Sequence, residues 1–287
     1  MTPSPDPASA PARRQMNARI EGQGARALVF AHGFGCDQTV WHRVAPAFAD
    51  EARVVLFDHA GCGAADPALY DRQRHSRLEG YAEDVIRLLD DLDPGPVDFI
   101  AHSVSSTIGI LAAIARPELF ASLVMIGPSV CYMNDGGYRG GFDRAEIEGL
   151  LEFMDSNFTG WASSFAAAAT GPRNGEAAAA DFARTLGRND PEIASAFARA
   201  TMLADYRDLP ALVTTPAHIL QSREDVMATE AAVAFVHAHL PGSRLWQVAA
   251  TGHCPHITHP AVLGALLRQV LAMDAAPANR SGGNGAA

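Results

Sequence analysis

Ser103, Asp225 and His253 lie far apart in the chain, yet their side-chain types together can make a hydroxyl nucleophilic. A serine hydroxyl attacks poorly near neutral pH. It needs a neutral imidazole to take its proton, and the imidazole needs a carboxylate to fix its tautomer and stabilise the cation that forms. Each of the three follows a short apolar run that reads as a strand, at residues 97–101, 217–221 and 244–248. Open α/β sheets bind their ligands at such strand ends. The chemistry this permits is attack on a carbonyl with transfer of an acyl group to serine. Two rivals stand beside the candidates, Glu224 for the acid and His256 for the base.

The stretch 97–115 must place the serine. It reads as a buried strand, a sharp turn at Ser103 and a helix whose apolar face includes Ile108, Leu111 and Ala112. Pro117 ends that helix at Arg116. Such turns usually carry Gly-x-Ser-x-Gly; here the flanking small residues are Ala101 and Ser105. An oxyanion needs two backbone donors. Val104 after the serine supplies one, and Phe34 in the loop His32-Gly33-Phe34-Gly35 is placed for the other.

The rest of the chain alternates strands and helices. Strands are expected at 17–21, 25–31, 54–57 and 123–126, and helices at 81–92, 229–239 and 260–273. Trp41, Val44, Ala45 and Phe48 give one face of a further helix. This succession predicts an α/β fold, a mostly parallel central sheet with helices on both faces. Residues 132–209 contain no strand-like run and read as an inserted helical cap, which divides a core of 17–131 and 210–274. Phe158, Trp161 and Phe165 recur at helical spacing in the cap and are candidates, with Phe34, for lining a substrate pocket. Residues 1–16 and 275–287, rich in small residues and proline, are expected to be disordered tails.

Composition narrows the function. The 287 residues carry a net charge of −10, which argues against nucleic acid as a partner. All 22 basic residues are arginine, so there is no lysine for a Schiff base or a P-loop. No Gly-x-Gly-x-x-Gly follows a strand, and no apolar run approaches the ~20 residues of a membrane span. The four cysteines form no Cys-x-x-Cys pair and, with no secretory signal in 1–14, are expected as reduced thiols of a cytoplasmic protein. His253, His256 and His259 suggest metal ligation, but Pro255 and Pro260 interrupt any helix there; hydrogen bonding around the loop is expected of His256 and His259 instead.

Longer runs carry a resemblance. They are His-Gly-Phe-Gly-Cys-Asp-Gln at 32–38, Val-Ala-Pro-Ala-Phe at 44–48, His-Ser-Val-Ser at 102–105 and Arg-Pro-Glu-Leu-Phe at 116–120. Gly-Pro-Ser-Val-Cys-Tyr at 127–132, Gly-Trp-Ala at 160–162 and Gly-His-Cys-Pro-His at 252–256 extend it over about residues 17–271. The chain resembles the α/β-hydrolase family, and within it the branch of the bacterial stress-response hydrolase RsbQ and the plant karrikin and strigolactone receptors. The resemblance implies a four-helix cap over a hydrophobic pocket, no metal or organic cofactor, Ser103, Asp225 and His253 as a triad, and Phe34 and Val104 as the oxyanion hole. It implies either hydrolysis of a small apolar ester or lactone, or ligand sensing with slow turnover alongside a signalling partner of the PAS-domain phosphatase type. The chain departs from the family pattern at Ala101, in the loop Gly61-Cys62-Gly63-Ala64-Ala65 and in its extended N-terminus.

Overall fold

The computed structural model describes residues 10–275. A short helix, α1 (Ala12–Gln15), precedes the edge strand β1 (Arg19–Glu21) and the buried strand β2 (Ala27–Ala31). Two 3-10 turns lead to β3 (Arg53–Leu56), followed by α2 (Leu78–Leu92), β4 (Val97–His102), α3 (Val104–Ala115) and β5 (Phe120–Ile126). Four helices come next: α4 (Arg144–Ser156), α5 (Phe158–Thr170), α6 (Gly175–Leu186) and α7 (Pro191–Met202). The chain then returns to the sheet with β6 (Ala217–Arg223), α8 (Glu230–His239), β7 (Arg244–Thr251), α9 (Pro255–Thr258) and α10 (Pro260–Ala275).

The sheet order is β1-β3-β2-β4-β5-β6-β7; β1 runs antiparallel to β3 and every other pair is parallel. From β2 the chain steps outward to β3, then crosses to β4 on the other side. The loops leaving β2 and β4 therefore diverge at a topological switch point, where an open sheet forms its crevice. Strands β2 and β4 are buried along their whole length, because helices cover both faces. Alternate side chains serve the two layers. Val29, Phe99 and Leu123 pack on one face with Leu88, Ile108 and Val236. Phe30, Ile100 and Val124 pack on the other with Trp41, Phe48 and Leu267.

Two expectations are corrected. The helix expected around Trp41 and Phe48 is a pair of 3-10 turns, Gln38–Trp41 and Ala45–Phe48. The Asp37 carboxylate caps the first turn through the Thr39 amide, and Pro46, which has no N–H to give to a continuous α-helix, opens the second. The tail expected through residue 16 is ordered over residues 10–16. Met16 is fully buried, its carbonyl accepts from the Asp58 amide at 2.9 Å, and the Gln15 carbonyl accepts from Asp66 at 2.7 Å. Burial of Met16 offsets the low hydrophobicity of its neighbours. Residues 1–9 and 276–287 of the expected tails lie outside the described residues. Among the described residues, no helix is long and apolar enough to cross a membrane.

His256 also departs from expectation. His259 Nδ1 lies 2.9 Å from Thr258 Oγ1, but neither ring nitrogen of His256 has a hydrogen-bond partner among the described residues. The ring is fully buried, 4.8 Å from that of Trp41 and 4.4 Å from that of His102. Burial, with the nearby His253 and His32, lowers its pKa from 6.5 to about 3. Between these values the unfolded chain binds a proton that the folded chain refuses, so stability falls as pH drops below 6.5 towards 3. The slope from this group is about 1.4 kcal/mol per pH unit. His256→Phe, which keeps a flat ring in the slot, is expected to reduce proton uptake on unfolding by about one at pH ~5. Urea unfolding between about pH 5 and about pH 7 checks this; an unchanged slope would contradict it.

Candidate active site

Ser103 occupies the turn between β4 and α3 with φ 57° and ψ −124°. Positive φ is costly for a residue with a Cβ and persists only where the surroundings enforce it. Here the Ser103 amide donates to the Ile126 carbonyl of β5 at 2.9 Å, and its own carbonyl accepts from Ser106 at 2.8 Å. The turn thrusts the hydroxyl above the C-terminal end of the sheet.

The three residues singled out in sequence meet there. Ser103 Oγ lies 2.7 Å from His253 Nε2, and His253 Nδ1 lies 2.8 Å from Asp225 Oδ2. The other Asp225 oxygen accepts from the Met227 and Ala228 amides at 2.9 and 2.8 Å. All three side chains are buried, so their hydrogen bonds compete little with water. With Nδ1–H donated to the carboxylate, Nε2 is left to accept the serine proton. Glu224, the rival acid, is exposed and ion-paired with Arg173; it takes the positive φ of 54° that lets Asp225 turn inward. His256, the rival base, hydrogen-bonds neither Ser103 nor Asp225.

Close backbone approaches hold the loops in register. Gly127, at φ 58°, would place a Cβ 3.1 Å from Asp225 Oδ2, and Gly33 would place one 2.4 Å from His102 Nδ1. Ser105, at a position where the usual motif has glycine, is more than a small residue. Its hydroxyl donates to the His32 carbonyl at 2.5 Å and lies 2.8 Å from His59 Nε2, tying α3 to the loop that carries Phe34. Burial lowers the pKa of His32, His59 and His102, which keeps these rings neutral. The amides of Phe34 and Val104 donate to no acceptor among the described residues, and Val104 opens α3, where helix geometry leaves the N–H free.

The cap reaches the same loop. The His253 amide donates to the Ala169 carbonyl in the last turn of α5 at 2.7 Å, and Asn174 Nδ2 donates to the Thr251 carbonyl at 2.9 Å. A Cβ on Gly252 would lie 2.3 Å from the Thr170 carbonyl, so only glycine lets α5 approach this closely.

Of the four aromatic residues expected to line a pocket, Phe34 and Phe165 do so. Trp161 stands behind them, edge-on to Phe34, and Phe158 stacks on Trp161 at 5.8 Å; neither lines the cavity. The walls missed in sequence are His102, Tyr132, Phe182, Thr201, Met202 and Met227. Tyr132 is buried beside Ser103 in this cavity, and burial raises its pKa to about 12. His102 and Tyr132 fall in the runs 102–105 and 127–132, which could have flagged them. The others sit on cap helices or a loop whose path has no periodic signature. Cys36, Cys62 and Cys254 are buried and their thiol pKa values are pushed up by burial, which removes them as nucleophiles. Among the described residues, no cluster of histidine, cysteine and carboxylate side chains could hold a metal ion.

Comparison with known proteins shows the family. Residues 28–266 match the model of the alpha/beta hydrolase family. The Karrikin insensitive 2 receptor CA of Petunia hybrida is 39% identical over 256 residues, spanning 88% of this chain and 95% of the relative. A strigolactone esterase of Arabidopsis thaliana is 37% identical, spanning 89% and 96%. A hydrolase from Oleispira antarctica superposes with a TM-score of 0.88 at 35% identity, spanning 91% of this chain and 96% of its own. The matches span the sheet, the turn at Ser103 and the cap together, and the chain belongs to the alpha/beta hydrolase family.

Proposed function

We propose that this protein is a serine hydrolase that cleaves small apolar esters or lactones through an acyl-enzyme. The observation that carries the reading is the line of hydrogen bonds from Ser103 through His253 to Asp225 at the C-terminal edge of the sheet. Ser103 Oγ attacks the substrate carbonyl while His253 Nε2 takes its proton. The Phe34 and Val104 amides receive the oxyanion, and Asp225 stabilises the imidazolium. Collapse of the tetrahedral intermediate passes the proton from His253 to the departing alkoxide and leaves the acyl group on Ser103. Water then attacks with His253 as base, releasing the acid and restoring the serine. The aromatic walls and the lack of any carboxylate or guanidinium among the cavity-lining residues support an apolar acyl group.

A second reading is ligand sensing with slow turnover, in which the same chemistry marks occupancy and the cap surface meets a signalling partner. Two observations favour it: a relative named as a receptor, and a cavity at Ser103 with free space of only about 20 Å³. A partner of the PAS-domain phosphatase type remains part of this reading alone.

The two readings separate in one assay. With 4-nitrophenyl acetate, the wild-type protein is expected to turn over at a rate typical of enzymes, ~1 s⁻¹ or more. Ser103→Ala is expected to lower kcat/KM by at least about 10³-fold. A sulfonyl fluoride should add to Ser103. Turnover equal in wild type and Ser103→Ala would overturn the proposal. Acylation of Ser103 with turnover far below ~1 s⁻¹ would favour the sensor reading.

A further inference from the structure

The cavity that contains Ser103 has free space of only about 20 Å³, room for roughly one water molecule. Pockets that enclose a drug-sized ligand usually offer ~300–1,000 Å³. An open cleft of about 330 Å³ shares Phe182 with this cavity, but Ser103 is not among its lining residues. The wall above the serine therefore has to yield before any acyl group enters.

The aromatic walls are interlocked. Phe34 meets Phe165 edge-on at 6.1 Å and Phe197 at 5.6 Å, and Phe165 contacts Phe182 at 6.3 Å. Displacing one ring disturbs the others. Met202 and Met227 differ. Met202 ends α7 in the cap, Met227 follows Asp225 by two residues in the core, and both are nearly buried. Their thioethers are unbranched, have three rotatable bonds and can repack at small cost.

We propose that Met202 and Met227 form a plug, one half from the cap and one from the core, that limits the acyl group to a few carbons. This rests on the hydrolase reading and narrows its substrate class to esters or lactones with short acyl parts. A short acyl group enters by turning the two thioethers aside; a long one has to displace the aromatic lattice as well. The Met227 backbone amide, not its side chain, holds Asp225, so truncating the side chain leaves that hydrogen bond in place.

The test is the acyl-chain profile of hydrolysis with 4-nitrophenyl acetate, butyrate and octanoate. In wild type, kcat/KM is expected to fall at least about tenfold from acetate to octanoate. Met227→Ala and Met202→Ala should each raise the octanoate-to-acetate ratio at least about tenfold, whereas Met227→Leu, which keeps the bulk, should preserve the wild-type ratio. A flat or rising wild-type profile, or alanine variants with the wild-type ratio, would overturn the plug. Labelling of Ser103 by methanesulfonyl fluoride and hexadecanesulfonyl fluoride reads the same cavity without turnover. Selective labelling by the small reagent, relaxed in Met227→Ala, with no ester turnover, upholds the plug and overturns the hydrolase reading. Equal labelling by both reagents in wild type overturns the plug alone. No labelling by either, in wild type or variant, overturns both.

Discussion

The site depends on one strained residue. Ser103 holds a backbone conformation that costs about 1–3 kcal/mol for a side-chain-bearing residue, and every neighbouring element contributes to keeping it there. Strand β4 is clamped between β2 and β5, and the Ser103 amide is drawn to Ile126 on β5. On the far side, α3 lies close to the sheet because Gly109 rests against Phe99, where an added Cβ would come within 3.0 Å of the ring. Relaxing the turn would swing Oγ away from His253, so the strain and the 2.7 Å contact with the imidazole are two aspects of one constraint.

The cap has two effects on this turn. It closes over the serine with Phe165, Phe182 and Met202, and it holds the backbone of the base through the Ala169 carbonyl. The glycine at 252 is what brings the two together, since any larger residue would meet Thr170. On the core side, the His102 ring nitrogen Nε2 lies 2.8 Å from the His253 carbonyl, so the residue before the nucleophile positions the loop of the base. The main chain of His253 is thus held from above by the Ala169 carbonyl and from below by the His102 ring, while Met202 and Met227 are the flexible side chains of the cavity wall.

Much of this was legible in the sequence because it rests on position along strands. The sheet and the placing of Ser103, Asp225 and His253 after β4, β6 and β7 follow from apolar runs, turn residues and chain order. What was not legible depends on local backbone angles. The place of Asp225 in the loop favours it over the adjacent Glu224, but the left-handed conformation of Glu224 beside it has no mark in the sequence. The same holds for Trp41 and Phe48, where spacing suggested one helix and Pro46 forced two 3-10 turns. Composition misjudged residues 10–16, since Met16, with Ala12 and Gln15, is buried in a segment whose residues are otherwise polar or small. Ser105 read as a tolerated substitute for glycine, and its hydroxyl instead ties the loop of Phe34 to α3. Tyr132, Met202 and Met227 reach the cavity by tertiary placement that no period announces.

The central claim is that an acyl group passes through Ser103. Rapid quenching of the wild-type protein with a short acyl ester, followed by mass analysis of its peptides, tests this most directly. The account predicts transient gain of one acyl group on the peptide containing Ser103, which forms before steady state and decays as substrate is exhausted. Turnover with no acylated peptide, or with the acyl group on another residue such as Tyr132, would contradict it.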